Sequence, residues 1–326
     1  MARKFRLCVP NAIHHITTKL IDDRLLFYDP TDKEKFLHYL DKFLIETEFD
    51  LLGIAFYPTH YHMALRINNR PLKDLLQGFH SAYARFYNKR HGFNGYLFQG
   101  RPKSEVVQDG PAAQKLIAYL HTGPIRAHLC KSIEELDKFK DCTHSAFMGN
   151  SQFPNLKIDQ IINLFSNNCI IDPKVLYRKT VELMIEKCDS YQDFLEMIKS
   201  SNEDRQDMFE PGYWVIGSQE FIQDAIKLDK QRRILMANHK AWGWDHNRLT
   251  EFVTSIFSIP AEDLRCRGRM NPLSNARKLY CYFAVRVLEM SMLSTAVRLN
   301  ISRTAVGRLA RQGKVIARDM KVDLPA

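Results

Sequence analysis

Two imidazoles one residue apart constrain this chain more than any other feature. They lie in Phe56-Tyr57-Pro58-Thr59-His60-Tyr61-His62-Met63-Ala64-Leu65-Arg66-Ile67. The stretch reads as a β-strand, along which successive side chains point to opposite faces. His60 and His62 therefore share a face, and Tyr61 turns the other way, where it can pack into a core. Two neutral imidazoles presented together can hold one divalent cation. The alternative is an exposed His-Tyr-His edge without a ligand.

Length and composition narrow the field. A chain of 326 residues is long enough for two or three domains with separate cores. Hydrophobic residues at 45% and charged ones at 26% are ordinary for a globular protein. No apolar run approaches a membrane span, and Met1-Ala2-Arg3-Lys4-Phe5-Arg6 lacks the apolar stretch of a signal peptide. Cys8, Cys130, Cys142, Cys169, Cys188, Cys266 and Cys281 are scattered singly. That spacing argues against a zinc cluster or disulfide framework and for a reducing, cytoplasmic compartment. A net charge of +10 suggests a polyanionic partner, without choosing between DNA, RNA and a membrane surface.

The expected class is α+β. Strand patterns occur at 13–18, 51–57, 61–67 and 104–107, and helical spacing at 31–48, 71–90 and from 111 onward. The order β-α-β-β-α-β-α predicts a ferredoxin-like amino-terminal domain over 1–148, with an antiparallel sheet, helices on one face and the other face free for a ligand. The stretch 149–155 has linker composition, and residues 149–205 read as a helical linker region with a polar break at 200–204. Residues 206–326 read as an all-α region. Trp214, Trp242 and Trp244 are expected in cores or interfaces rather than stacked on bases.

Two further segments bring chemistry to the first domain. The last helix carries Tyr119, which could approach the His60/His62 face; beside a bound cation its oxyanion would form more easily and could attack phosphorus. The alternative is a core tyrosine on an amphipathic helix. Tyr96-Leu97-Phe98-Gln99-Gly100-Arg101-Pro102-Lys103-Ser104 places two cations and two aromatics in a Gly-containing loop, which suits phosphate contact and base stacking.

With these segments in order, residues 1 to about 147 resemble the REP-associated tyrosine transposases, within the single-tyrosine HUH transposase superfamily. Ala12-Ile13-His14-His15-Ile16-Thr17 resembles that family's first strand, and Pro58-Thr59-His60-Tyr61-His62 its histidine signature. Leu97-Phe98-Gln99-Gly100-Arg101 with Lys103-Ser104 resembles its basic loop, and Tyr119 followed by Pro124-Ile125-Arg126-Ala127 its catalytic helix. The resemblance implies a bacterial, nucleoid-associated nuclease, monomeric or homodimeric. It would bind single-stranded DNA beside an imperfect hairpin, and Tyr119 would attack the backbone, leaving a 5′-phosphotyrosine and a free 3′-hydroxyl. His60 and His62 would hold Mg²⁺ or Mn²⁺, and Gln99, Arg101, Lys103 and Arg126 would contact DNA. Two positions depart from the family pattern. Thr59 stands where the family has Asn, and Gly123 stands where members carry an amide as third metal ligand, four residues after the tyrosine. His121 cannot replace it, since two residues along a helix turn it by about 200°. Water or a carboxylate from elsewhere would have to complete the coordination. His14 and His15 could reach the binding face, in a structural or DNA-contact role.

The carboxy-terminal stretch 291–309 reads as a helix-turn-helix. Ala296 allows close crossing, Asn300 suits a left-handed turn, Ser302 can cap the second helix, and Ile301 and Val306 face the core. Arg303, Thr304 and Arg308 would project toward a groove of duplex DNA. From Arg265 onward thirteen Lys and Arg face only Glu289, Asp319 and Asp323, which favours phosphate contact. The run from Ala276 to Leu309 resembles the DNA-binding domain of the replication initiator DnaA. Two other readings remain: a domesticated DNA-binding regulator without nicking, and an RNA-binding ferredoxin-like module.

Overall fold

The computed structural model describes residues 7–68, 70–166, 171–199, 214–266 and 271–325. Met1 to Arg6, Cys169, the polar break 200–204, Arg267 and Arg269 lie outside them. The chain divides into two compact units, Met1–Lys227 and Leu228–Ala326.

In the first unit β1 (Ile13–Lys19) leads to α1 (Pro30–Thr47), β2 (Asp50–Phe56), β3 (His60–Arg66), α2 (Lys73–His91), β4 (Lys103–Val107) and α3 (Pro111–Arg126). Local signals place these elements close to their expected positions. The Asp29 side chain accepts from the Thr31 and Asp32 amides to cap α1, and Pro30 stands at its first turn. Gly110 and Pro111 open α3. There follow α4 (Ile133–Lys138), α5 (His144–Phe147), α6 (Ile158–Phe165), α7 (Pro173–Lys187), α8 (Tyr191–Lys199), β5 (Val215–Ile216) and α9 (Gln219–Ala241), whose second half belongs to the other unit.

The described strands form one sheet of order β2-β3-β1-β4-β5. The first four pair antiparallel, but β5 runs parallel to β4, so the sheet is mixed rather than antiparallel throughout. A two-residue strand carries no periodicity, which is why the sequence gives no sign of it. Period-two alternation then assigns the faces. Ile16, Ile54, Tyr61, Met63 and Leu65 point into a core with α1 and α2, while Ile13, Leu52, Ala55, Ala64 and Val107 point into a core with α3. The second face is therefore not free, contrary to expectation. Of the described residues in the stretch expected as a helical linker region, Ile161, Phe165, Tyr177, Val181, Met184, Phe194 and Ile198 share the α3 core. The register leaves one end of that face polar, where Lys19 pairs with His60, Thr17 with both His62 and Lys103, and His15 with Glu105.

The second unit is helical, with α10 (His246–Phe257), α11 (Asn271–Tyr282), α12 (Met292–Leu299) and α13 (Arg303–Met320). Its core includes Leu249, Val253, Tyr280, Phe283, Ala296, Leu299 and Val306. A Cβ at Gly313 would overlap the Lys278 carbonyl, so this glycine lets α13 lie directly on the α11 backbone. Between α12 and α13 the expected local geometry is present. Asn300 is left-handed (φ 53°), and the Ser302 hydroxyl accepts from the Ala305 amide at 3.1 Å. Trp244 is buried in the core and donates to the Pro325 carbonyl, whereas Trp214 and Trp242 are exposed and so lie outside the cores of the chain.

Candidate functional site

The site is built on the polar end of the α3-facing sheet surface. His60 and His62 project there together from β3, with ring centroids 5.4 Å apart, while Tyr61 is fully buried on the opposite face and meets His80 Nε2 at 2.6 Å. His62 Nδ1 lies 3.0 Å from His15 Nε2 and 3.3 Å from Thr17 Oγ1. His15 Nδ1 lies 2.9 Å from Glu105 Oε2, and the Tyr191 hydroxyl of α8 donates to that same oxygen at 2.6 Å. Four side chains from β3, β1, β4 and α8 thus form one hydrogen-bonded chain. His14, one residue from His15, faces the other way and meets Ser104 instead.

The electrostatics of this chain follow from burial and neighbours. Burial lowers the His62 pKa well below the ordinary histidine value, and His15, His60 and Arg126 add to the effect. Burial and then Lys19 lower that of His60. Both shifts favour the neutral imidazole over the protonated one. For Glu105 burial works upward, but the hydrogen bond and charge interaction with His15, the hydrogen bond from Tyr191 and the charge on Lys103 outweigh it, so its carboxyl pKa is lowered.

A divalent cation fits this donor set in part. Among the described residues neither His60 Nε2 nor His62 Nε2 has a hydrogen-bond partner. Among those residues no group of three His, Cys, Asp or Glu is placed to hold a metal. The two imidazoles could supply two ligands, leaving the remaining positions to water and substrate oxygens.

Tyr119 reaches this region from α3. It is 8% exposed, with Arg126 stacked 3.9 Å over its ring and α8 rings against it, Phe194 at 4.5 Å and Tyr191 at 5.8 Å. Arg126 also donates to the Tyr119 carbonyl and, at 2.6 Å, to the Thr122 hydroxyl. Burial raises the Tyr119 pKa, and the guanidinium offsets this only partly. Among the described residues no ring contact or hydrogen bond joins Tyr119 to His60 or His62. The connection runs through Tyr191, whose ring is 6.4 Å from His15.

Gly123 has a local cause. A Cβ there would overlap the Tyr57 hydroxyl, and the Tyr57 ring stacks on His60 at 4.3 Å and meets His62 at 5.5 Å. A phenol from the end of β2 thus fills the space beside α3 into which a longer side chain at 123 would grow. Burial raises the Tyr57 pKa. His121 points away, as the helical period requires, meeting Tyr177 and Thr143 in the core.

The structure sorts the other expected contacts. Lys103 is exposed in the cross-strand row of His62, and Gln99 and Arg101 are exposed beside it. Tyr96 is 86% exposed and available for stacking, but Phe98 is spent on His80, 4.0 Å away. Arg126 lines a cleft of about 700 Å³ with Thr122, Ile125, Lys131 and Ile185. In the second unit Thr304 and Arg308 are exposed and Arg303 is half-buried. Sequence reasoning singled out neither Tyr57, Glu105 nor Tyr191, and assigned His15 only a generic role.

No protein-family model and no curated protein matches this chain. Among solved structures, a REP-associated tyrosine transposase bound to a REP hairpin aligns with 48% of this chain and 98% of its own. The identity is 13% and the TM-score 0.38.

Proposed function

We propose that this chain is a metal-dependent, transposase-like nuclease that cuts and rejoins single-stranded DNA through Tyr119. On this reading the sheet with α1, α2 and α3 is a ferredoxin-like catalytic domain. The pair α12–α13 is a helix-turn-helix whose Arg303, Thr304 and Arg308 meet duplex DNA. The observation that supports the reading is the pairing of His60 and His62 on one sheet face, with both Nε2 atoms without a hydrogen-bond partner among the described residues and with Tyr119 linked to the pair through Tyr191 and His15. Mg²⁺ or Mn²⁺ held there would polarise the scissile phosphate.

The chain's own groups have definable tasks. Tyr119 attacks phosphorus, the P–O3′ bond breaks, and the strand keeps a free 3′-hydroxyl that can reverse the step. Arg126, over the Tyr119 ring, favours the phenolate and the phosphate charge. Lys103, Arg101 and Gln99 hold the strand across the exposed loop, with Tyr96 as a stacking platform. For DNA to reach Tyr119, the Tyr191 and Phe194 rings of α8 must move aside. The test is incubation of the full chain with hairpin-flanked single strands and Mn²⁺. A covalent adduct that Tyr119→Phe abolishes is expected; no adduct under any divalent metal sinks the proposal.

A second reading, a DNA-binding regulator that has lost nicking, is favoured by the covered Tyr119 and by Tyr57 filling the space at Gly123. It expects tight, salt-sensitive DNA binding that survives Tyr119→Phe.

A further inference from the structure

One face of α3 leads from the Tyr119 phenol into a cleft. Thr122 and Arg126 stand three and seven residues after Tyr119, spacings that put all three on one side of a helix. Arg126 reaches back over the Tyr119 ring at 3.9 Å and donates to the Tyr119 carbonyl and the Thr122 hydroxyl. Both Thr122 and Arg126 also line the cleft of about 700 Å³, with Ile125, Lys131, Ile185 of α7 and Asp189 just past the end of α7. Arg126 thus borders the cleft and the phenol alike. Seven residues of helix put its backbone about 10 Å along the axis from that of Tyr119.

The lining defines what would fit. Ile125 and Ile185 bring apolar surface from two helices, and Arg126 and Lys131 bring charge. Among the described residues neither cation is in an ion pair. The carboxy-terminus of α3 opposes an anion, because a helix ends in unpaired carbonyls carrying about half a negative charge. Here the last carbonyls are occupied: Gly123 accepts from the Ala127 amide, Pro124 from Leu129 and Cys130, and Ile125 from His128. That half charge and the Asp189 carboxylate together do not cancel two cations. The cleft therefore suits a ligand with an apolar planar body and a negative group beside it. Its volume lies in the range of clefts that enclose small ligands.

We infer that this cleft is a nucleotide subsite, taking one unstacked nucleotide that flanks the phosphate attacked by Tyr119. Its base lies against Ile125 and Ile185, and its phosphate meets Arg126 and Lys131. Bases out of a stack are held in this way, between apolar side chains, while cations on the backbone fix their position. The inference rests on the nuclease reading for the place of the cut, but its test reads binding alone.

The test uses the full chain without divalent metal and a fluorescent hairpin-flanked single strand, made abasic at one unpaired position at a time. In wild type one position should stand out, its missing base weakening binding about 5-fold or more. Ile185→Trp fills the cleft from α7. It should weaken the intact strand by a similar factor, and the abasic change at that position should then add nothing. Two effects that multiply there, as independent sites do, overturn the inference. So does a wild type indifferent to every abasic position. Lys131→Ala alters only an exposed side chain and keeps the question open should the tryptophan disturb folding. It should lower the slope of log affinity against log salt by about 0.7, the share of one phosphate on a single strand, and an unchanged slope also overturns the inference. A protein with this binding pattern but no adduct under Mn²⁺ leaves the subsite standing and removes the cutting reading. An adduct that forms while neither Ile185→Trp nor any abasic position alters binding removes the subsite alone.

Discussion

At position 123 two effects of opposite sign compete, and their magnitudes decide which wins. In an ordinary helix interior, replacing Gly with Ala gains about 1 kcal/mol in propensity. Here the new methyl would overlap the Tyr57 hydroxyl, with Cζ only 3.1 Å away. Overpacking of this kind costs about 1–3 kcal/mol, and Tyr57 cannot swing freely because its ring is stacked on His60. Gly123→Ala is therefore expected to destabilise the protein, as read from the urea midpoint. In a Tyr57→Phe background the oxygen is gone and the penalty should shrink or change sign. Equal effects of Gly123→Ala in both backgrounds would show that the phenol is not what excludes a side chain there. Since Tyr57 stacks on His60 and meets His62 edge-on, a shifted phenol should also disturb the imidazole pair.

Among elements, α8 is the one whose importance the sequence hides. Its apolar spacing predicts only packing, yet Tyr191 reaches Glu105 and both Tyr191 and Phe194 cover Tyr119. What is local was legible. The Asp29 cap of α1, the left-handed Asn300, the Ser302 cap and the alternation that pairs His60 with His62 all follow from neighbours a few residues apart. What depends on register was not: His15 and Glu105 are ninety positions apart and meet only because β1 and β4 pair as they do. The departure at Gly123 could be noticed in the sequence, but its cause lies in a tertiary contact. The cover supplied by α8 can be tested directly. Phe194→Leu keeps most of the apolar volume, costs about 1 kcal/mol, and removes the ring packed against Tyr119. Nitration of Tyr119 by tetranitromethane, located by peptide mapping, is expected to speed up several-fold. The exposed Tyr96 and Tyr28 serve as internal references. An unchanged ratio would mean that α8 does not limit access.

For the whole molecule the net charge of +10 matters less than where the cations stand. On α13, Thr304, Arg308, Arg311 and Arg318 are exposed at spacings of four, three and seven, which places them along one side of a helix, with exposed Lys314 near them. The opposite side, with Val306, Ala310, Gly313 and Ala317, is buried against the unit's own core. A helix anchored this way presents its cations on a rigid support, so losing one cannot be repaired by sliding. Each Lys or Arg that neutralises a phosphate of duplex DNA contributes about 0.9 to the slope of log affinity against log salt. Replacing Arg308, Arg311 and Lys314 together with Ala is expected to reduce that slope in the full chain by up to about 2.7, weakening all duplex sequences alike. Thr304→Ala removes no charge and should leave the slope intact, altering only the preference among sequences if Thr304 reaches base edges. If the triple replacement leaves the salt dependence unchanged, Arg308, Arg311 and Lys314 do not contact duplex phosphates and this account of α13 fails.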